Sequence, residues 1–469
     1  MYQANQGTRI LLPSHPAPIT KLPTEVLMRI FKCYAKSHPE VLDQRVVDLC
    51  LVGKYWNKIA NGTPQLWTKI NFTFPFTRRH RDAVLKRLRA SKLQKIDVSI
   101  DFRDPSWDGE EMLRDENGFI KLVKSVLGGT EGRWRSVKVV SDSWLPLYEL
   151  MCGWEFIHLP PSLESISMER ANTIFGMRNV RFDPHGFAEP KTLFGRRGAS
   201  PPKLRALSLS AVHVDWDALV GYQNLRKLEL NNITYDVGPS FEQFAATISS
   251  LPRLEYLDVS GFCPEHHTAL PPPGSWDPVF PVIHLPVLKE FTFGWKEVES
   301  GWLFLQMFQI GGSLESLTLL GTESGFGTWV DDTTGRRLWI HESQEIFDAL
   351  FGLGSAAPMD ENDRPPTPFI SMRGVKRLKI AWTKAARFSL IPLLKILTEL
   401  EEIWLEDVDE NVLSDVSEAR AAFKNQQGYR SLTRLDFRWS WQKEVPSFLA
   451  PAVRLLGSAG ISLTAQGPE

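Results

Sequence analysis

One phrase recurs along most of this 469-residue chain: apolar, two residues of any kind, apolar, one of any kind, apolar. It reads Leu93/Ile96/Val98, Trp134/Val137/Val139, Leu163/Ile166/Met168, Leu204/Leu207/Leu209, Leu225/Leu228/Leu230 and Leu254/Leu257/Val259. It continues as Leu288/Phe291/Phe293, Leu314/Leu317/Leu319, Val375/Leu378/Ile380, Leu400/Ile403/Leu405 and Leu432/Leu435/Phe437, with Trp67/Ile70/Phe72 before the series and Ile461/Leu463 after it. The last two apolar positions of each phrase lie two residues apart, so in an extended chain they share one face. A strand this short is stable only with like strands beside it, so successive units must stack. Pro161, Pro202, Pro252 and Pro286 each stand two residues before a leading apolar position. Proline cannot continue a helix and pushes its neighbour toward extended geometry, so it marks entry into a strand. Between the phrases, helical spacing is expected over 82–89, 119–127, 241–249, 302–309, 391–397 and 452–456. The fold class is therefore α/β, with one continuous parallel sheet over 73–469.

The first seventy residues follow a different pattern. After a leader over 1–18, Val26, Leu27, Ile30, Phe31 and Tyr34 recur at helical spacing behind Pro23 and Glu25, both suited to a first turn. Val46, Val47, Leu49, Leu51 and Val52 make a second apolar segment, and Trp56, Ile59 and Ala60 a third after Gly53. Thr63-Pro64 reads as a cap ahead of Leu66 and Trp67. Three such helices over 19–72 bury little apolar surface alone, so they are expected to share a face with something else. In the repeat region, excursions are expected near 264–281 and 354–368, with a degenerate unit holding a helix over 339–350 between phrases.

These residues carry two resemblances. Leu22-Pro23-x-Glu25-Val26-Leu27-x-x-Ile30-Phe31, then Leu51-Val52-Gly53-Lys54-x-Trp56-x-x-Ile59-Ala60, then Pro64-x-Leu66-Trp67 resemble an F-box, in the form common in mushroom-forming fungi. That resemblance implies three helices docking onto the Skp-type adaptor of a cullin–RING ubiquitin ligase. Carried over position by position, it implies adaptor contact by Leu22, Pro23, Val26, Leu27, Ile30, Leu51, Trp56, Leu66 and Trp67, with Trp67 as the anchor. Phe31 and Ile59 are the alternatives that pack only inside the unit, and Trp56 stands open between the two roles. The recurring phrase resembles leucine-rich repeats, implying a curved solenoid with strands on its concave face. The position three past the last strand apolar, where regular members place Asn or Cys, holds Val212, Ile233, Phe262, Lys296, Thr322, Thr383, Val408 and Ser440, so irregular turns are expected.

Function is expected on the residues between the strand apolars, which alternation points away from the core. Trp295, Trp382, Trp404 and Trp439 fall at or just past such positions in a chain with 16 Trp against 8 Tyr. They either form a substrate-recognition surface or pack sideways against neighbouring loops. The basic run 77–92 carries a helical apolar stripe at Val84, Leu85 and Leu88, so its cations read as a solvated helix face. A net charge of −1 provides no field for nucleic acid or an anionic membrane. No secretory leader or spanning segment is read, and Cys33, Cys50, Cys152 and Cys263 are too dispersed for a disulfide framework or metal cluster, so free thiols in cytosol or nucleus are expected. No phosphate loop, His-Glu-x-x-His, Gly-x-Ser-x-Gly or dinucleotide motif occurs, so no cofactor and no catalysis are expected. The expected molecule is a monomeric substrate-recognition subunit of a Skp–cullin–F-box ligase. The alternative is a non-ligase repeat scaffold whose N-terminal helices only cap the array.

Overall fold

The computed structural model describes residues 19, 22–37, 42–74, 77–103, 116–154, 159–171, 182, 189–194, 200–234, 236–261, 264, 281–295, 298–321, 343–355, 369–383, 388–423, 432–438, 451, 454 and 462–466. They fall into two compact units, one reaching Phe72 and taking in Phe76–Ser99, the other holding Thr73–Pro75 and the chain from Ile100 on. The leader over 1–18, most of the excursion near 264–281, residues 356–368 and Trp439 lie outside the described residues.

The first unit runs α1 (Thr24–Lys36), α2 (Leu42–Leu51), α3 (Lys54–Asn61), a 3₁₀ turn (Pro64–Trp67), β1 (Lys69–Thr73), α4 (Arg78–Ala90) and β2 (Ile96–Asp101). Helical phase splits the α1 stripe in two. Leu27, Phe31 and Ala35 face inward and are buried with Val46, Leu49, Ile59, Ala60, Leu66 and Trp67, while Val26, Ile30 and Tyr34 stay exposed. The Trp56 ring lies 4.8 Å from Phe31. Polar bonds fix the corners: Arg45 donates to the Tyr34 carbonyl at 2.8 Å, and Asn57 Nδ2 to the Cys50 carbonyl at 3.0 Å. Thr63 does not cap the 3₁₀ turn as expected; its hydroxyl donates back to the Ile59 carbonyl at 2.8 Å and closes α3 instead. A true cap opens α4, where the Thr77 hydroxyl accepts from the His80 amide. Leu93 is a further correction: it lies in the turn after α4 at 91% exposure, and the buried alternation begins only at Ile96.

The second unit comprises α5 (Glu116–Leu127), β3 (Trp134–Ser141), α6 (Leu145–Trp154), β4 (Ser165–Arg170), β5 (Ala206–Ser210), α7 (Trp216–Leu219), β6 (Lys227–Asn231), α8 (Phe241–Ser249) and β7 (Tyr256–Ser260). Then come β8 (Ile283–Leu285), β9 (Glu290–Trp295), α9 (Val298–Leu305), β10 (Phe308–Ile310), β11 (Ser316–Gly321), α10 (Ser343–Ser355), β12 (Phe369–Ile370) and β13 (Arg377–Ala381). It ends with α11 (Ile391–Ile396), β14 (Glu402–Glu406), α12 (Glu410–Phe423), β15 (Arg434–Arg438) and β16 (Ser462–Gln466). Within it the main sheet runs β3-β4-β5-β6-β7-β9-β11-β13-β14-β15-β16, so the segments led by Leu204, Leu225 and Leu254 are consecutive neighbours. The pairing is parallel and in phrase register: Ile166, Leu207, Leu228, Leu257, Phe291, Leu317, Leu378, Ile403 and Leu435 form one continuous row. The leading leucines behind them are almost fully buried.

A single sheet was expected, and here the structure corrects the sequence. β8, β10 and β12 form a second parallel sheet of three strands, each immediately preceding a main strand. For the same reason the helix expected over 302–309 ends at Leu305, because Phe308 and Ile310 alternate into a strand. Phe244, Phe291, Phe293, Phe304 and Phe308 fill the space beneath as one aromatic cluster, with neighbouring centroids 5.0–6.3 Å apart.

The turns after the strands are made by backbone, not by a side-chain ladder. Ala211, Asn232, Gly261, Trp382 and Asp407 have φ of 49–61° and each donates its amide to a carbonyl of the next strand at 2.8–3.2 Å. The following position, where Asn was absent, holds buried Val212, Ile233, Thr383 and Val408. At the other end of the strands, Arg135, Glu164, Arg205, Arg226, Glu255, Lys289, Glu315, Lys376 and Glu401 form a column, each amide donating to the carbonyl before it at 2.7–2.9 Å.

Candidate functional site

Two surfaces stand out. The first is on α1, α2 and α3. Eight of the fourteen exposed large hydrophobic side chains among the described residues (Ile19, Val26, Ile30, Tyr34, Val47, Leu51, Val52 and Tyr55) fall between residues 19 and 55. Val26, Ile30 and Tyr34 sit at i, i+4 and i+8 on α1, and Val47 and Leu51 at i and i+4 on α2, so each helix presents a stripe. Leu51 is 75% exposed and Val52 62%. Such a cluster of apolar groups in water marks a surface that gains free energy when covered. The phenol of Tyr55 meets the Thr24 hydroxyl at 3.3 Å, fixing the start of α3 to the start of α1.

Of the nine residues that the F-box resemblance put at the adaptor, Pro23, Val26, Ile30 and Leu51 are exposed and Leu22 and Trp56 half-buried. Leu27, Leu66 and Trp67 are corrected: at 0%, 3% and 4% exposure they are core. Trp67 is an internal anchor. Its indole N–H donates to the Ala60 carbonyl at 2.9 Å, and the Arg87 guanidinium lies 5.6 Å from its ring. Tyr34, Val47 and Val52 stood in the apolar segments of the sequence but not among the expected contact residues, and Tyr55, four residues after Leu51, was not singled out at all.

The second surface is the polar face of the main sheet. Its middle row reads Ser167, Ser208, Glu229, Asp258, Thr292, Thr318, Lys379, Trp404 and Asp436. Trp404 and Trp382 are each 46% exposed. Trp295 is corrected: at that position β9 runs on and pairs with Gly321 of β11 instead of turning, so the indole is buried and stacks on Phe293 at 5.9 Å. Trp382 takes the left-handed turn, where a bulky side chain costs about 1–2 kcal/mol. A Cβ at Gly321 would collide with the Trp382 carbonyl oxygen, so only glycine fits beside that turn.

Ion pairs lace this face: Lys227–Glu229 and Lys379–Glu406 at 2.6 Å, and Arg434–Asp436 at 2.8 Å. Asp258 accepts from the Ser260 hydroxyl, and its pKa is pushed up to about 6, first by burial and then by the nearby Glu229 carboxylate, against Ser260, Lys227 and Tyr256. An acid with a higher pKa folded than unfolded contributes fully below about pH 4, and the contribution is lost as pH rises through about 6. Asp258→Asn should therefore be more stable than wild type at pH 7.5 by about 1–2 kcal/mol in urea unfolding, a gap that closes by pH 4. A gap independent of pH would refute this.

Among the described residues no group of three or more His, Cys, Asp or Glu is placed to hold a metal, and no helix is long and apolar enough to cross a membrane. No curated protein matches the chain. Residues 19–73 match the family model described as F-box-like, spanning the three helices, the 3₁₀ turn and β1. This chain carries an F-box-like domain at residues 19–73.

Proposed function

We propose that the chain is the substrate-holding subunit of a Skp–cullin–F-box ubiquitin ligase, docking on a Skp-type adaptor through residues 19–72 and holding a protein substrate on a leucine-rich-repeat-like solenoid over 73–469. The observation that carries this reading is the exposed apolar ridge on the F-box-like unit. Pro23, Val26, Ile30 and Leu51, flanked by Leu22 and Trp56 and joined by Tyr34, Val47 and Val52, are its contact residues. A stable adaptor complex of this kind buries about 1,600 Å² or more. In such a complex the chain works as a monomeric tether in the cytosol or nucleus. It raises the effective concentration of substrate lysines near the conjugating enzyme, and none of its own residues needs to do chemistry. Co-expression of the full chain with a Skp-type adaptor should give one stable 1:1 complex; two separately eluting proteins would sink the reading and favour the scaffold alternative.

Trp382 and Trp404 are the substrate-facing residues of this proposal. Backbone strain at an exposed bulky side chain is retained where the side chain does something. Trp382→Gly should raise stability by about 1 kcal/mol by relieving the left-handed turn. In the same proteins, Trp382→Gly with Trp404→Ala should lose the partners that wild type captures while keeping the adaptor. Unchanged capture would remove these two residues from the recognition surface.

A further inference from the structure

The column of residues at the strand entries alternates in sign, from Glu164 to Arg205 and from Arg226 through Glu255, Lys289, Glu315 and Lys376 to Glu401, with one break. Arg205 and Arg226 stand immediately before β5 and β6, the Arg226 amide donating to the Arg205 carbonyl at 2.8 Å, so two like charges lie side by side. The repulsion is reinforced from the other side of the leading leucines, where Lys203 and Arg253 flank Asn224. Lys203, Arg205, Arg226 and Arg253, with Pro202 and Asn224, line a cavity of about 200 Å³.

Asn224 is held in place: its Nδ2 donates to the Pro202 carbonyl at 3.1 Å and its Oδ1 accepts from Arg253 at 3.1 Å. Of the four cations, only Arg226 forms an ion pair among the described residues, with Glu255 at 2.6 Å, a carboxylate that also takes Lys289 at 2.9 Å. The cavity thus has one positioned polar side chain in its wall and cations in excess of the carboxylates paired with them among the described residues. An anion seated among them would relieve the one unfavourable contact in the column.

We propose that this cavity binds a phosphate monoester dianion. A carboxylate brings one charge and two acceptor atoms, whereas a phosphate ester brings about −1.5 to −2 at pH 7 and three acceptor oxygens, matched to the forked donors of Arg205, Arg226 and Arg253. The volume is below the range of about 300–1,000 Å³ that encloses a whole drug-sized ligand, so it suits a phosphoryl group whose carrier lies outside. Within the proposed role of the second unit, the carrier is a phosphoserine or phosphothreonine of the held protein; only this assignment of source rests on that role.

The test titrates the full chain, at constant ionic strength, with inorganic phosphate, with O-phosphoserine and with labelled peptides of degenerate sequence around a central serine or phosphoserine. The phosphoserine peptide should bind at least tenfold more tightly than its unphosphorylated twin, and phosphate and O-phosphoserine should compete with it. Arg205→Gln with Lys203→Gln, two exposed residues with no ion pair among the described residues, should abolish the preference and leave the unfolding midpoint in place. Equal affinity of the two peptides for wild type, or an unchanged preference in the double variant, overturns the site. A phosphopeptide that binds more tightly than O-phosphoserine identifies the carrier as protein, while equal affinities show that the ester alone is read. Adaptor capture measured in the same preparations reports on the F-box-like unit independently, so failure of one reading is distinguishable from failure of the other.

Discussion

Phe308→Ala is expected to cost about 4 kcal/mol of folding stability, among the largest losses from any single truncation in the second unit. Phe308 is fully buried, and its ring centroid lies 5.2 Å from Phe291, 5.3 Å from Phe304 and 6.3 Å from Phe244. Those partners come from β9, α9 and α8, and Phe308 itself opens β10, so one ring joins both sheets to two helices. Removing it takes away the transfer free energy of a large apolar side chain and leaves a cavity that neighbours on three elements cannot jointly close. Urea unfolding should show a lower midpoint at unchanged slope. A loss below about 1 kcal/mol would mean that the cluster relaxes freely and does not tie the two sheets together.

Ile30→Asp with Leu51→Asp should weaken adaptor capture at least a hundredfold. Ile30 is 39% exposed and Leu51 75%, so a charge at either position stays in water in the free chain and disturbs the fold little. In an interface the same carboxylates must be desolvated without a partner, which costs several kcal/mol, and each tenfold in affinity is about 1.4 kcal/mol. Trp67→Ala is the contrasting control. It also lowers capture, but by unfolding the unit, because it removes a buried ring and leaves the Ala60 carbonyl without its indole donor. Circular dichroism and capture measured together separate the two: the aspartate pair keeps the helical signal and loses the adaptor, whereas Trp67→Ala loses the adaptor together with the first unit's share of the helical signal. If the aspartate pair binds like wild type, the ridge is not the docking surface.

The strands of the main sheet and their order were legible because period-two alternation leaves little choice. A one-residue slip would turn every phrase inside out, so the spacing alone matches Leu207, Leu228, Leu257 and Phe291 to one another. Where one apolar residue had two possible environments, the sequence was ambiguous. Leu93 fits the phrase yet lies in a solvated turn, and Trp67 fits an exposed anchor yet is wrapped by α3 and α4. Phe308 and Ile310 fit a helix and a strand equally, and pairing with β8 and β12 decided for the strand. The candidate surfaces were legible in part. Val26, Ile30 and Leu51 were named from the motif and Trp382 and Trp404 from their phase, but the basic cavity joins residues from three separate repeats and has no linear signature.

By itself the sequence determined which segments form the strands of the main sheet, which face of each is apolar, and that an F-box-like helical unit precedes them, because these depend on spacing within a few residues of chain. The tertiary structure alone decided which tryptophans reach solvent, where a second sheet replaces helix, and which charges of successive repeats converge. Those depend on what stands one strand away, and parallel stacking sets beside each other residues that lie 21 or more positions apart in the chain, as with Arg205 and Arg226.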